Sequence, residues 1–360
     1  MTSFFATPAG IQITTFMRRY ERHVGVAALL SGFVFDTLTL GRPDQLFGNI
    51  ILSAYLLISA SAILALALYG RRGNAAPFLL LALLQFCFGN LAGGLLVLYG
   101  QSGTFEGSSL FFLVFGAFVI GNEFLRTRYS LLSFHIAAWF FLLLAYAALI
   151  LPILTHSLGD TIFLLSVALS IALVALFLTL LYAVSPASFA GVRRQTALSL
   201  TAIALLFTGF YFGNVIPPVP LSLQQIGIFH SVVRTASGYE ATFEKPDWYE
   251  LFRLSDKTYT IADDSRAYCF SSVFVPAGIT TLIAHRFERY DEEAQAWFTA
   301  SYVPFPVSGG RDAGFRGYSA TTKLSPGTWR CSVETGRGAL VGRSTFTVMT
   351  GTPVLQTDTF

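Results

Sequence analysis

Long apolar segments fill the first 216 residues of the chain, and short breaks rich in charge, glycine or proline separate them. Runs of about 17–25 apolar residues match the ~30 Å hydrocarbon core of a bilayer at ~1.5 Å per helical residue. Seven such segments occur: Val24–Leu40, Phe47–Tyr69, Pro77–Tyr99, Ser109–Leu125, Leu131–Leu154, Ile162–Val184 and Thr196–Ile216. The pattern predicts an α-helical polytopic membrane bundle of about seven helices, which forms a first domain over residues 1–216.

Arginine residues are concentrated on one side of these segments. Nine of them precede the first segment or lie in every second loop, whereas the loops between contain only Arg42. The nine are Arg18, Arg19, Arg22, Arg71, Arg72, Arg126, Arg128, Arg193 and Arg194. Loops rich in arginine stay in the cytoplasm. We therefore predict a cytoplasmic N-terminus and, because the number of helices is odd, an extracytoplasmic C-terminal region.

The hydrophobic pattern changes after residue 216. Pro217-Pro218-Val219-Pro220 ends the last helix because proline cannot continue it. Beyond it, short segments separated by glycine and proline turns predict strands at Ile226–Val233, Tyr239–Phe243, Ala267–Val275, Thr281–Tyr290, Ala296–Val303, Gly314–Leu324, Trp329–Thr335 and Ser344–Met349. Such spacing is typical of an antiparallel sandwich. We predict that residues 217–360 form an all-β, immunoglobulin-like sandwich domain.

Composition agrees with a membrane protein. Hydrophobic residues make up 54% of the chain and charged residues 12%, about half the usual ~25%. The formal net charge is +3, and its positive excess lies in the loops of the apolar part, so no nucleic-acid partner is expected. Residues Met1–Tyr20 lack the apolar core of a cleavable signal peptide. The first helix is therefore expected to serve as its own insertion signal.

Several short motifs occur together in this chain. They are Tyr20-Glu21-Arg22, Phe35-Asp36-Thr37-Leu38-Thr39-Leu40, Tyr268-Cys269-Phe270-Ser271-Ser272-Val273-Phe274, Gly309-Gly310-Arg311, Gly314-Phe315-Arg316-Gly317-Tyr318, Trp329-Arg330 and Gly342-Arg343. With these motifs the chain resembles the bacterial membrane-protein family of domain of unknown function 2914, most densely between Pro217 and Val348. The resemblance implies a protein of the bacterial inner (cytoplasmic) membrane. Together with the topology predicted from the arginines, we expect a multi-pass protein with a periplasmic C-terminal domain. The resemblance implies no activity. Cys331 departs from the family pattern, where an aliphatic residue is expected.

Five polar residues of the apolar part are candidates for an intramembrane role: Asp36, Asn49, Gln85, Asn90 and Glu123. A charge at mid-membrane costs at least ~2.5–3.5 kcal/mol, so an intramembrane carboxylate needs a reason. Asp36 either pairs structurally with Arg42 or Asn49, or binds an ion, a proton or a ligand. Both interpretations remain open.

Helix packing explains the other members of this set more simply. Gly89 and Gly93 form a GxxxG pattern that allows close helix contact, and the amides of Gln85 and Asn90 can bond across helices. Glu123 can form a salt bridge with Arg126 near the end of its helix. A substrate path through these residues is the less favoured alternative.

The β-rich part offers a second set of candidates, namely Arg311, Arg316, Tyr318, Arg330 and Arg343. Arginine and aromatic residues anchor binding surfaces and hold carboxylates, phosphates or sugars. On a sandwich they also form ordinary solvated faces. Cys269 and Cys331 both fall on predicted strands, where they either form a disulfide or act as small apolar residues.

The sequence contains no nucleophile, zinc-peptidase, phosphate-loop or dinucleotide motif. We therefore assign no catalytic or metal-binding residue, expect no cofactor, and favour a non-enzymatic protein. The favoured hypothesis is an integral membrane protein whose β-domain binds an envelope glycan, lipid or protein. One alternative is a transporter or lipid-handling protein that uses Asp36, Asn49, Gln85 and Asn90, although the internal repeats common in transporters are not evident. The other is an intramembrane enzyme that uses Asp36 or Glu123.

Overall fold

The computed structural model describes residues 40–72, 77–124, 132–236, 238–245, 257–261, 266–322 and 324–359. Six helices occur in these ranges: α1 Leu46–Arg71, α2 Phe78–Gln101, α3 Phe105–Phe124, α4 Leu132–Thr155, α5 Asp160–Val184 and α6 Pro186–Phe212. They correspond to the second to seventh predicted segments. The described part thus contains six helices and not seven, because the first predicted segment, Val24–Leu40, lies outside the described residues except for Leu40.

Five of the described helices are long and apolar enough to cross a membrane, namely α1, α2, α4, α5 and α6. In α3 the apolar stretch is shorter, Glu106–Phe118, and the backbone at Ser108 is not helical (φ −132°, ψ 24°). The prediction of an apolar helical region before residue 217 is therefore confirmed.

The chain forms two compact units. The first contains the described residues up to Leu98 together with Leu113–Ala147 and Val167–Leu205, and the second contains Tyr99–Phe112, Ala148–Ser166 and Leu206–Phe360. The second unit thus includes several helix ends as well as all the strands. The domain boundary at residue 216 stays a prediction.

Polar contacts between α1 and α4 organise the first unit. The Trp139 indole N–H donates to the Leu56 carbonyl oxygen at 3.0 Å. The Tyr146 hydroxyl donates to the Asn49 carbonyl oxygen at 3.1 Å and lies 2.9 Å from Ser53 Oγ. In an apolar surrounding, a polar group without a partner is costly. These bonds therefore fix how α4 packs on α1.

The β-rich region predicted after residue 217 is confirmed, with eleven strands in its described part. They are β1 Ser222–Phe229, β2 Ser231–Arg234, β3 Tyr239–Glu244, β4 Thr258–Ile261, β5 Ala267–Phe274, β6 Thr280–Asp291, β7 Ala296–Ser308, β8 Phe315–Thr321, β9 Gly327–Thr335, β10 Leu340–Thr350 and β11 Leu355–Thr359. Each predicted strand has a counterpart. The first is divided into β1 and β2, and β4 and β11 were not predicted.

The strands form three sheets with the orders β1-β5-β8, β4-β10-β9-β6-β7 and β11-β3-β2. Strands β2 and β3 pair as an antiparallel hairpin, from Ser231↔Thr242 to Arg234↔Tyr239. Neighbouring strands are antiparallel except for β10 and β4, which pair in parallel. The immunoglobulin-like type stays a prediction.

The sheet β1-β5-β8 contributes side chains to a hydrophobic core on each of its faces. One face carries Cys269 and packs against Trp329, Phe287 and other residues of the five-stranded sheet. The opposite face carries Phe270 and packs against β2 and β3. Because β5 is covered on both faces, it is buried along almost its whole length and shows no alternation of buried and exposed residues.

A disulfide joins Cys269 of β5 to Cys331 of β9, with the two Cα atoms 6.5 Å apart. It links two different sheets through the centre of the core, and both cysteines are fully buried. Of the two alternatives left open by the sequence, the disulfide is the one that the structure contains. Trp329 is 1% exposed, and its indole N–H donates to the Ser325 carbonyl oxygen at 2.8 Å.

Candidate binding site at the helix ends

A cavity of about 480 Å³ lies within the second unit. Its wall comes from the end of α4, the start of α5, the end of α6, the proline-rich linker and the facing ends of β6, β7 and β9. Most of the lining is apolar, including Phe163, Ile216, Leu221 and Leu282. Pockets of ~300–1,000 Å³ with mainly apolar walls and a few polar groups are typical small-molecule sites.

Local chain geometry brings these segments together. After α6 the chain turns at Asn214, whose φ is 55°, and the Ile216 N–H donates to the Phe210 carbonyl oxygen at 3.3 Å. The turn before β6 contains Gly278 at φ +80°, where a Cβ atom would lie 2.3 Å from His156 Cδ2. Glycine is required there because of both its φ and the close approach. The loop between α4 and α5 therefore packs directly on the start of β6.

Arg337 carries the charge in the lining. Its Nη1 lies 3.0 Å from Asp160 Oδ1, its guanidinium carbon lies 3.9 Å from the centre of the Tyr211 ring, and its Nη2 donates to the Tyr211 carbonyl oxygen at 3.3 Å. The Tyr211 hydroxyl donates to Asp160 Oδ1 at 3.1 Å. The Asn214 amide donates to the Arg337 carbonyl oxygen at 3.2 Å. The guanidinium group is thus held in one orientation at the cavity.

The predicted candidates Arg330 and Arg343 lie elsewhere, on the five-stranded sheet, and each has an internal partner. Arg330 Nε is 2.6 Å from Glu288 Oε2, and the guanidinium group lies 4.1 Å from the centre of the Trp297 ring. Arg343 donates to Ser332 Oγ at 2.9 Å and to Glu106 Oε2 at 3.0 Å. These contacts favour a structural role for both arginines.

The other three predicted candidates of the β-rich part lie on or beside β8. Arg311 is exposed and lies 5.2 Å from the Phe315 ring centre, and the Arg316 carbonyl oxygen accepts from the Tyr239 hydroxyl at 3.2 Å. Tyr318 is 41% exposed, and its ring centre is 6.2 Å from that of Tyr239. The structure therefore distributes the five predicted residues over two surfaces and does not gather them at one site.

The predicted intramembrane candidates that the structure describes are distributed over α1, α2 and α3. The Asn49 amide donates to the carbonyl oxygens of Pro43 and Gln45 at 2.8 and 2.9 Å, and the Asn90 amide donates to Phe86 at 2.8 Å. Gln85 lies on α2 and Glu123 on α3. Asp36 lies outside the described residues. Its predicted neighbour Arg42 forms an ion pair with Asp44, in which Nε and Oδ1 are 3.4 Å apart.

His285 forms a buried polar cluster that sequence reasoning did not identify. Its Nε2 is 2.7 Å from Ser271 Oγ and its Nδ1 is 2.8 Å from Ser319 Oγ. Its ring also lies beside the sulfurs of Cys269 and Cys331. Burial lowers the pKa of His285 to about 4, so the ring is neutral at pH 7. Because the two sulfurs are bonded to each other, the cluster acts as part of the core and not as a metal site.

The residues around the cavity were also missed by sequence reasoning. Asp160, Tyr211 and Arg337 come from three distant segments, and none of them belongs to a recognisable motif. The one available signal was the turn Gly336-Arg337-Gly338, where two flanking glycines present a single arginine.

Residues 280–348 match the family described as "Protein of unknown function (DUF2914)". The resemblance proposed from the motifs is thereby confirmed over this stretch, from β6 to near the end of β10. No curated protein matches the chain. One solved structure, "Pseudomonas fluorescens alkylpurine DNA glycosylase AlkC bound to DNA containing an abasic site analog", aligns at 10% identity over 86% of this chain and 99% of that chain. Its TM-score of 0.21 carries no argument about fold or function.

Proposed function

We propose that this chain is an integral protein of the bacterial inner membrane whose helices anchor the β-rich region on the extracytoplasmic side, where that region binds an envelope component. The observation that carries the proposal is the apolar cavity formed by three helix ends and the facing strands. The three helices that contribute these ends, α4, α5 and α6, are each long enough to cross a bilayer. The cavity would then lie near the level where acyl chains meet headgroups.

The lining favours a lipid over a free glycan or a protein. Phe163, Ile216, Leu221 and Leu282 offer apolar contacts, whereas sugars need a higher density of hydrogen-bonding groups. The cavity volume of about 480 Å³ can hold one apolar segment of a lipid. A protein partner would need a much larger contact surface. We therefore propose an amphiphile with a single apolar chain segment in the cavity.

A role of the helices as a membrane anchor explains their polar side chains better than a transport role does. The side-chain amides of Asn49 and Asn90 donate to backbone carbonyls within four to six residues along the chain. These bonds engage the NH2 group of each side chain without a substrate, whereas Asn49 Oδ1 is buried and accepts no hydrogen bond within the described residues. Transport along these amides remains the alternative proposal.

The classification of the β-rich region as immunoglobulin-like also belongs to the proposal. A disulfide between two sheets with a buried tryptophan beside it supports this type. The parallel pair of β10 and β4 is a departure from a purely antiparallel sandwich.

Topology can be tested by reporter fusions in a bacterial host. The nine-to-one distribution of arginines leads us to expect a cytoplasmic reporter signal after residues 72 and 194, and an extracytoplasmic signal after residue 225. A cytoplasmically active reporter at residue 225 would contradict the odd number of helices and the proposed location of the cavity.

Filling the cavity should abolish amphiphile binding. Thr281 lines the cavity, and its replacement by tryptophan (T281W) occupies space that the ligand needs. The probe is a monoacylglycerol, added to the purified full-length protein in detergent and counted by native mass spectrometry. We expect about one bound molecule for the wild type and at least tenfold lower occupancy for T281W, equivalent to about 1.4 kcal/mol or more.

The matched control is Thr299→Trp, which introduces the same side chain at an exposed position of β7 outside the cavity lining. It should bind the probe like the wild type. Equal occupancy in T281W, T299W and the wild type would show that the amphiphile binds elsewhere.

A further inference from the structure

One ion pair adjoins the cavity, and only its positively charged partner belongs to the lining. Arg337 lines it, and Asp160 lies 3.0 Å from the Arg337 guanidinium group. The Asp160 side chain is 53% exposed and the Arg337 side chain is 30% exposed. Ion pairs that remain in contact with water contribute little to stability, about 0–1 kcal/mol. Both groups can therefore exchange part of their mutual contact for contacts with a ligand.

Each charged group also has bonding capacity beyond the ion pair. Arg337 uses Nη1 for Asp160 and Nη2 for the Tyr211 carbonyl oxygen, and a guanidinium group has five N–H donors in a planar fork. Asp160 accepts through Oδ1 from Tyr211 and Arg337. A carboxylate has about four lone-pair positions, so Asp160 can accept a further donor.

We propose that the amphiphile is a phospholipid with a zwitterionic headgroup, whose phosphate contacts Arg337 and whose primary ammonium contacts Asp160. This inference rests on the proposed function of the cavity and assigns the headgroup class of its ligand. A purely anionic headgroup would gain Arg337 but meet the negative charge of Asp160 about 3 Å away. An uncharged headgroup would gain neither contact. A headgroup with both charges satisfies both side chains, and its attached chain enters the apolar part of the cavity.

The geometry around Arg337 fits a phosphate. Stacking on Tyr211 and the hydrogen bond to the Tyr211 carbonyl oxygen hold the plane of the guanidinium group. A fixed planar fork binds phosphate oxygens in a bidentate manner, whereas lysine would act as a point charge. The position of Arg337 between Gly336 and Gly338, in the turn between β9 and β10, places this fork at the cavity.

The test compares three probes with the same acyl chain on the full-length protein in detergent: lysophosphatidylethanolamine, lysophosphatidylglycerol and monoacylglycerol. We expect lysophosphatidylethanolamine to bind at least about tenfold more tightly than either of the others, because one charge-assisted hydrogen bond has roughly that value. Arg337→Gln should remove the advantage of lysophosphatidylethanolamine over monoacylglycerol. Asp160→Asn should remove the preference for lysophosphatidylethanolamine over lysophosphatidylglycerol.

Two controls distinguish a loss of headgroup recognition from a loss of folding. Arg337→Lys keeps the charge, so it should retain part of the preference, and an unchanged thermal unfolding midpoint shows that each variant is folded. Equal affinity of the wild type for all three probes would overturn the headgroup inference but leave the cavity function in place. A preference for lysophosphatidylglycerol that Asp160→Asn does not alter would also overturn it. If none of the three probes binds, the proposed function itself is wrong.

Discussion

Simultaneous replacement of Cys269 and Cys331 by alanine is expected to lower the free energy of unfolding of the β-rich region by about 4 kcal/mol. The disulfide closes a segment with a sequence separation of 62 residues. A cross-link of that length removes conformational entropy from the unfolded chain worth about 4 kcal/mol in the chain-entropy description. Loss of two buried sulfur atoms from the core acts in the same direction. Guanidinium titration of the full-length protein in detergent, followed by tryptophan fluorescence, measures the change.

The third cysteine provides the control. Cys87 is buried on α2 and has no disulfide partner, so Cys87→Ala should leave the unfolding of the β-rich region almost unchanged. Without reducing agent, the denatured wild type should contain one reactive thiol, that of Cys87. Three reactive thiols, or a double variant as stable as the wild type, would contradict the disulfide.

The helices were predictable because their signal is local. Each described helix overlaps one predicted apolar segment, since a span of ~30 Å requires a continuous run of apolar residues. The largest difference is at α6, which begins at Pro186, ten residues before the predicted start at Thr196. The predicted strands were found for a similar reason, as their apolar residues lie between glycine and proline turns. In contrast, β11 (Leu355–Thr359) is short and largely exposed, and β4 has only four residues. Their pairing partners, β3 and β10, lie far away in the sequence.

The candidate site was not predictable in the same way. Asp160 begins α5, Tyr211 lies near the end of α6, and Arg337 lies in the turn after β9. Their proximity depends on tertiary packing, and a single sequence carries no pattern that reports it. Arg330 and Arg343 were candidates for a binding surface by residue type alone, and in the structure they form ion pairs with Glu288 and Glu106. The sequence shows a residue type suited to binding, but it does not show which carboxylate lies beside each arginine.

Trp329→Ala is expected to lower the free energy of unfolding of the β-rich region by about 3–5 kcal/mol, the usual cost of removing a large aromatic side chain from a core. Trp329 is 1% exposed and packs in the cluster that contains the disulfide and Phe287. Its indole N–H bonds to the Ser325 carbonyl oxygen, so the substitution also removes the donor of a partly buried acceptor. Denaturant titration of the full-length protein, followed by circular dichroism, measures the loss.

Trp297→Ala is the matched control, because it removes the same side chain from a partly exposed position on β7. Trp297 contacts Arg330 through its ring face, and such a contact contributes about 0.5–1 kcal/mol at an exposed site. The Trp297 variant should therefore lose much less stability than the Trp329 variant. Equal losses in the two variants would show that the core around the disulfide is not the main source of stability. Both variants should retain the helical signal, because neither tryptophan belongs to α1–α6.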